Sequence, residues 1–277
     1  MTTPAAEAVL QYERRGSFWF ARLNRPDKRN ALSEDLIEGL GMLCTDVSAD
    51  LEARALVLWG AGGHFCAGAD FGRFLDLMKG DPGPGVDPIV THNRGFGTML
   101  ERIASLPVAT IAVVRGAAMG GGCGLAATCD RVIACDDAVF AMPEVTLGVA
   151  PAQIAPFVAR RLGATRARWL MLNAARLSAS AALEAGLADV VVPATELVTA
   201  VRQALQSLSA GEPAALRATK RIVHRSAQAS LPDALDDAAR EFAGLLRHGA
   251  AREGIAASRE RRAPAWQAVL PELPDFT

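Results

Sequence analysis

Short apolar runs, each broken within a few residues by glycine, aspartate or proline, constrain this chain more than any other feature. Five of them read as β-strands: 17–23, 55–59, 110–114, 131–135 and 189–192. Most are rich in Val, Ile, Leu or aromatic residues, as pleated and buried segments are. Between them lie helical patterns such as 33–47, where Ser33 is placed as an N-cap and Leu36, Ile37, Leu40, Leu43 and Val47 recur at helical spacing. Strand, helix, strand at this interval predicts an α/β fold with crossover connections. Proline and glycine alternate through 80–88, which predicts a loop. Beyond Pro193 no β-like run returns, and 196–209, 212–227 and 232–247 read as helices. The expected organisation is an α/β core over 1–200 and a helical region over 201–277, packed on the core or on a neighbouring subunit.

Composition narrows the class. Of 277 residues, 51% are hydrophobic and 21% charged, enough for a sizeable core and too apolar for wholesale disorder. A net charge of −1 argues against a surface given over to nucleic acid or an anionic membrane. Mean hydropathy is +0.18, yet the longest apolar stretch, 106–128, is interrupted by Arg115 and by Gly116, Gly120, Gly121, Gly122 and Gly124. A spanning helix needs about 20 apolar residues with few or no charges, so no membrane span is expected. The first 15 residues have no basic start followed by an apolar core, which predicts no secretory signal. Five cysteines with no CxxC pair suit reduced, buried thiols in a cytoplasm. Four scattered histidines and no HExxH predict no metal site.

Three segments carry chemistry. In ALVLWGAGGHFCAGAD (55–70), small residues after a strand let the main chain approach a ligand and leave N–H groups free to donate; a plain tight turn is the alternative. A dinucleotide fingerprint fails here, because Phe65 stands where the third glycine belongs. In TIAVVRGAAMGGGCGLAATCD (110–130), glycines precede a helical segment, gathering unpaired N–H donors and the positive dipole end at one point. Such a point suits an anion or a negative charge that develops during reaction, with close helix packing as the alternative. In VFAMPEVTLGVAPAQIAP (139–156), Glu144 follows Pro143 among apolar residues. It is either solvated at a strand end or held in a pocket, where its pKa would rise. His64 and Cys66, Asp70 and Asp130, and the pairs Lys220-Arg221 and Arg261-Arg262 read as local structure or solvated faces.

Together these segments resemble the enoyl-CoA hydratase/isomerase (crotonase) family along nearly the whole chain. The likeness runs through Leu23-Asn24-Arg25-Pro26-Asp27-Lys28-Arg29-Asn30-Ala31-Leu32, His64-Phe65-Cys66-Ala67-Gly68-Ala69-Asp70 and Gly120-Gly121-Gly122-Cys123. It continues in Cys129-Asp130, Pro143-Glu144-Val145 with Leu147-Gly148, Glu184-Ala185-Gly186-Leu187-Ala188, and the terminal 253–266. The resemblance implies a spiral of ββα turns with a C-terminal helical region, assembled as a homotrimer or a dimer of trimers. It implies an acyl-CoA substrate, with coenzyme A present only as part of that substrate and no other cofactor. The amides of Ala69 and Gly121 would form an oxyanion hole and Glu144 would act as acid/base. Arg25, Lys28, Arg29, Ala31, Ala67, Gly68, Asp70 and Gly120 would contact substrate or CoA, Arg22 adding to the basic cluster.

One departure bears on the reaction. Family hydratases commonly carry a second glutamate in a Cys-Glu-Leu-Ala context, and here that stretch is Cys123-Gly124-Leu125-Ala126. A lone carboxylate moves a proton between two carbons more simply than it performs both halves of a hydration, which raises a double-bond isomerase as an alternative. A catalytically inactive acyl-CoA-binding homologue is a further one. The run Ala150-Pro151-Ala152-Gln153-Ile154-Ala155-Pro156, together with Gly124, is similar to the branch that hydrates 3-methylglutaconyl- and isohexenylglutaconyl-CoA. Such substrates carry a second carboxylate, for which Arg73 and Arg94 are loop-position candidates. A substrate carboxylate, Gln153 or a backbone-held water is then available in place of the second glutamate. The activity expected first is hydration of an α,β-unsaturated acyl-CoA.

Overall fold

A computed structural model of the chain describes residues 8–80, 83 and 85–276. The N-terminal seven residues, the side chain of Arg73 and part of the 80–88 loop lie outside the described residues. The strands are β1 (Leu10–Arg15), β2 (Phe18–Leu23), β3 (Ala55–Gly60), β4 (Ala109–Val114), β5 (Ala117–Met119), β6 (Arg131–Cys135), β7 (Val139–Ala141), β8 (Arg176–Ser178) and β9 (Val190–Val192). The helices are α1 (Glu34–Ala49), α2 (Phe71–Met78), α3 (Pro88–Ala104), α4 (Gly121–Thr128), α5 (Ala155–Leu162), α6 (Ala164–Leu172), α7 (Ala179–Ala185), α8 (Leu197–Ser209), α9 (Pro213–Ser226), α10 (Leu231–His248) and α11 (Ala251–Glu260).

The strands make a six-stranded sheet of order β1-β2-β3-β4-β6-β9 and a small sheet of order β5-β7-β8. In the large sheet only the β1–β2 hairpin is antiparallel. Each turn of chain crosses the large sheet, drops into the small one and returns through helix. One turn is β4, β5, α4; the next is β6, β7, α5. The turn before them repeats the plan with bridges in place of a strand: after β3, Cys66 pairs with Ala118, Ala69 pairs with Leu32, and α2 follows. This is the spiral of ββα turns.

Period-two alternation explains why the large sheet is covered on both faces. Leu56, Leu58, Ala112, Val114, Val132 and Ala134 point into the main core, with Leu36, Leu40 and Leu43 of α1. Phe18, Phe20, Val57, Trp59, Ile111, Val113 and Ile133 point into a second core on the other face. That face is closed by Leu197, Val201 and Leu205 of α8 and by Phe276 near the C-terminus. The expected division between residues 200 and 201 thus runs through α8, a helix that packs on the sheet. The more loosely attached helices begin at α9, and α10 has no buried residue in the isolated chain.

The five expected strands all form, within a residue or two of their expected ends, and all belong to the large sheet. Ser33 caps α1 by accepting the Leu36 amide, and Glu212 caps α9 by accepting that of Ala215. The strands that sequence reading passes over are β1 and the small sheet, whose members are three residues each. Three residues are too few to establish a period of two. Phe276 is 1% exposed and sets its ring edge-on to Trp59, with centroids 5.2 Å apart. Phe276→Ala is expected to cost about 3–5 kcal/mol by the usual scale for buried phenylalanine. Urea unfolding measures it, and a change within about 0.5 kcal/mol would mean that the C-terminal strap does not seal this core.

Candidate active site

The site grows from one buried asparagine. Asn30, fully buried with φ +57°, accepts the Arg25 amide on Oδ1 at 2.8 Å and donates through Nδ2 to the carbonyls of Ala61 (2.9 Å) and His64 (2.7 Å). It therefore fastens the 25–31 turn to the turn after β3. Asparagine tolerates this left-handed conformation because its short amide bonds locally. Arg25 strengthens the junction by donating to the Ala31 carbonyl and to Asp70 Oδ2 (3.0 Å). That hydrogen bond from Arg25 holds the Asp70 carboxyl below its usual range, and Asp70 in turn caps α2.

With the turns fastened, two main-chain segments pair for a few residues. The Ala67 amide donates to the Arg29 carbonyl, the Leu32 amide to that of Gly68, and the Asp70 amide to that of Leu32. In a parallel bridge of this kind the flanking residues serve the partner, so the Ala69 N–H is turned away from Leu32. On that other side lies the start of α4. Gly68, at φ +97°, runs so close to the next turn that a Cβ on it would sit 2.7 Å from the Met119 carbonyl oxygen and 3.6 Å from the Gly121 nitrogen. A Cβ on Gly122 would sit 2.3 Å from the Cys66 carbonyl oxygen. Only glycine permits this approach.

Helix α4 supplies the second donor. Its first i→i−4 bond is Gly124 N–H to Gly120 O (3.0 Å), so the earlier amides have no intrahelical acceptor. Among the described residues neither the Ala69 nor the Gly121 N–H has an acceptor. All eight residues of α4 are buried, so these amides and the helix dipole act in an apolar setting.

Glu144 closes the arrangement. It begins a short 3₁₀ turn after β7, and a Cβ on Gly120 would lie 2.8 Å from its Oε1. Its Oε2 is buried with no hydrogen-bond partner. Desolvation by burial raises its pKa. The apolar residues that follow it in sequence do not do the burying: Val145, Leu147 and Val149 are exposed, and Glu144 turns inward past Gly120.

The place of a second carboxylate is filled. A Cβ on Gly124 would lie 2.1 Å from Ile154 Cγ2 and 2.6 Å from its Cβ, so no side chain fits at 124 unless Ile154 moves. Phe96 of α3 and Leu32 press on Gly121 at 3.1 and 3.0 Å by the same measure. Sequence reading missed Asn30, Phe96 and the Ile154–Gly124 contact. Asn30 carried a signal, an asparagine in a turn; the other two depend on tertiary packing alone.

The basic residues separate. Lys28 and Arg29 are exposed and have no ion-pair partner among the described residues. Arg25 is engaged as above, and Arg22 donates to Gln11 across the β1–β2 hairpin. Arg94 is engaged by Thr98 (3.1 Å) and Glu101 (2.9 Å), and Lys220 by the Val108 carbonyl (2.8 Å) and Asp130 (2.6 Å). Burial pushes the Cys66 and Cys123 thiols up to about 12, and His64 Nδ1 accepts the Ala117 amide, so no thiol–imidazole pair forms. All five cysteines are free and buried. Among the described residues no group of His, Cys, Asp and Glu could hold a metal ion, and no helix is long and apolar enough to cross a membrane.

The enoyl-CoA hydratase/isomerase family model matches residues 13–269. The chain belongs to this family. A probable enoyl-CoA hydratase of Mycobacterium bovis is 33% identical over 243 residues, 87% of this chain and 91% of that protein. The crystal structure of an enoyl-CoA hydratase/isomerase from Marinobacter aquaeolei superposes with a TM-score of 0.90 at 39% identity, covering 94% of this chain and 99% of that one. Pseudomonas aeruginosa AtuE gives 0.89 at 40%, with the same coverage. The chain is thus of an enzyme family that handles enoyl-CoA thioesters, on a fold it shares with these neighbours.

Burial of Glu144 has a thermodynamic consequence with a definite sign. A pKa raised on folding means that the folded state binds the proton more tightly, so stability falls as pH rises from the ordinary glutamate range to the raised value. The penalty is complete above the raised pKa and absent below the ordinary one. Glu144→Gln is therefore expected to raise Tm most at the alkaline end, with the gain vanishing at acid pH. A pH series of thermal melts checks it; a gain that grows toward acid pH would contradict the assignment of Glu144 to a desolvated position.

Proposed function

We propose that this chain is an enoyl-CoA hydratase-type lyase that adds water across the α,β double bond of an acyl-CoA, branched chains included. Glu144 is the acid/base, and the Ala69 and Gly121 amides are the electrophile. The observation that carries the reading is the orphaned carboxylate oxygen of Glu144 beside two unpartnered amides.

The thioester oxygen accepts from both amides, which polarises the conjugated system and stabilises the enolate formed on attack. Glu144 takes a proton from water as its oxygen bonds to Cβ, and the same proton returns from Glu144 to Cα. One carboxylate ends as it began, and addition takes place on one face. A desolvated carboxylate holds a proton more tightly, which suits it to this exchange near neutral pH. Exposed Lys28 and Arg29 are the partners for the CoA phosphates. Arg25 and Asp70 hold the turn in shape, and Ala31, Ala67, Gly68 and Gly120 form its close walls. The reaction invokes no cofactor beyond the CoA of the substrate.

A double-bond isomerase is the second reading, favoured by the Ile154–Gly124 contact that leaves one carboxylate at the site. It uses the same amides and the same glutamate, moving a proton between Cα and Cγ. Assembly is part of the proposal: α10 exposes Leu231, Leu235, Phe242 and Leu246, an apolar face that further copies of the chain would cover in a homotrimer or dimer of trimers. Free, buried cysteines suit a cytoplasmic setting.

Glu144→Gln is expected to lower kcat about 10²–10⁴-fold, the usual worth of a positioned acid/base, with little change in KM. Wild-type rate should fall as pH falls through the raised pKa of Glu144, because the base form is lost. Near-wild-type turnover by the variant would sink the mechanism. Mass spectrometry of products from an enoyl-CoA panel including 3-methylglutaconyl-CoA separates the readings: gain of one water supports hydration, a shifted double bond the isomerase. Native mass should read as a trimer or hexamer, and a monomer would refute the assembly.

A further inference from the structure

A hydration catalysed through one carboxylate needs something else to hold the water, and resting on the hydratase reading we infer that the Gln153–Asn93 amide pair does so. Side chains press on the first turn of α4 from several elements, among them Glu144 at Gly120, Leu32 and Phe96 at Gly121 and Ile154 at Gly124. Gln153 is the chain neighbour of Ile154, and its carboxamide lies over Gly97, the chain neighbour of Phe96. A Cβ on Gly97 would be 1.9 Å from Gln153 Oε1. The amide group thus lies against Gly97 on α3, and its chain neighbour Ile154 and Gly97's chain neighbour Phe96 both reach the first turn of α4.

Its hydrogen bonds are half used. Gln153 Nε2 donates to Asn93 Oδ1 at 2.8 Å, and among the described residues Gln153 Oε1 has no donor and Asn93 Nδ2 no acceptor. Asn93 and Gly97 are four residues apart on α3, so they share a face and fix the carboxamide between them. Fixed in this way, Oε1 accepts one hydrogen of a water while the other goes to Glu144, and Asn93 Nδ2 is a donor for the water oxygen until it bonds to Cβ. The pair is neutral. It supplies orientation without a second negative charge, which would push the Glu144 pKa further up. Gln153 and Asn93 are thus positioning residues for the nucleophile, while Glu144 and the two amides remain sufficient for enolisation.

That division gives two separable activities. Exchange of a Cα hydrogen for deuterium in a saturated acyl-CoA requires the oxyanion hole and Glu144, which takes the proton, exchanges it with D2O and returns a deuteron, but no water held for attack at Cβ. Hydration requires all of them. Gly97→Ala is the mildest variant, because the added methyl meets only the far ends of two flexible side chains, Gln153 at 1.9 Å and Arg94 Nη1 at 3.1 Å, and α3 gains helix propensity. Gln153→Leu and Asn93→Leu remove the groups directly. In each, hydration kcat should fall about 10²-fold, the scale of a 1 Å misplacement, with KM for the enoyl-CoA changed less than threefold. Deuterium exchange into butyryl-CoA should stay within about threefold of wild type, and thermal melts should show Gly97→Ala folded. Hydration and exchange falling by the same factor, or a Gly97→Ala enzyme that hydrates normally, would overturn the water-holding role while leaving the hydratase reading intact. A wild-type enzyme that exchanges deuterium yet hydrates nothing on the panel would overturn both.

Discussion

Everything at this site depends on how closely two stretches of backbone, 66–69 and 119–122, approach one another. Glycines at 68 and 122 remove the Cβ atoms that would otherwise strike the Met119 and Cys66 carbonyls. Hydrogen bonds from Cys66 N–H to Ala117 O and from Met119 N–H to Cys66 O, both 2.9 Å, hold the approach. The result is that the Ala69 and Gly121 amides, without acceptors among the described residues, lie near one another at the start of buried α4. Pre-organised donors of this kind cost no reorganisation when charge develops, which is why their side-chain identity matters less than their position. The spiral of sheets is the device that keeps them there, since each segment is the drop from the large sheet toward the small one.

The missing glutamate is not a gap. Ile154 occupies the volume above Gly124, so the absence of a carboxylate and the presence of an aliphatic side chain form one packing solution. A charged side chain placed at 124 alone would have to displace a residue that is 2% exposed, and a small-to-large change in such a core typically costs about 1–3 kcal/mol. The 150–156 segment therefore does two jobs at adjacent residues. Ile154 packs an apolar side chain on Gly124, and Gln153 sets a neutral amide against Gly97 and Asn93 of α3.

Much of this was legible in the sequence, for identifiable reasons. Four of the large-sheet strands, β2, β3, β4 and β6, are mostly apolar runs of five or six residues, long enough to declare themselves, and Ser33 announces a helix start. The glycine runs at 60–68 and 120–124 pointed to close backbone approach, and Pro143-Glu144 to a carboxylate in apolar company. The small sheet was illegible because its three-residue strands lack the run of β-branched residues that gave away the equally short β9. The partners of the site were illegible for another reason. Phe96, Ile154 and Asn93 reach it from helix and loop positions whose local pattern is that of ordinary packing. Arg25 looked like a phosphate ligand by its place in a basic turn, and its hydrogen bonds to Ala31 and Asp70, which clasp that turn, carried no signal in the sequence.

The distribution of charge completes the logic. The cations nearest the turn are either tied to carbonyls and carboxylates, as Arg25 is, or out in solvent, as Lys28 and Arg29 are. Among the described residues none is paired with Glu144, whose raised pKa follows from burial. An ion pair there would hold the carboxylate in its charged form and lower its affinity for a proton. Leaving one oxygen of Glu144 buried and unbonded has the opposite effect, and costs stability that the surrounding core supplies. The same logic favours a neutral amide over a second acid in the proposed mechanism: an amide would orient a water and leave the proton affinity of the single carboxylate where burial has set it.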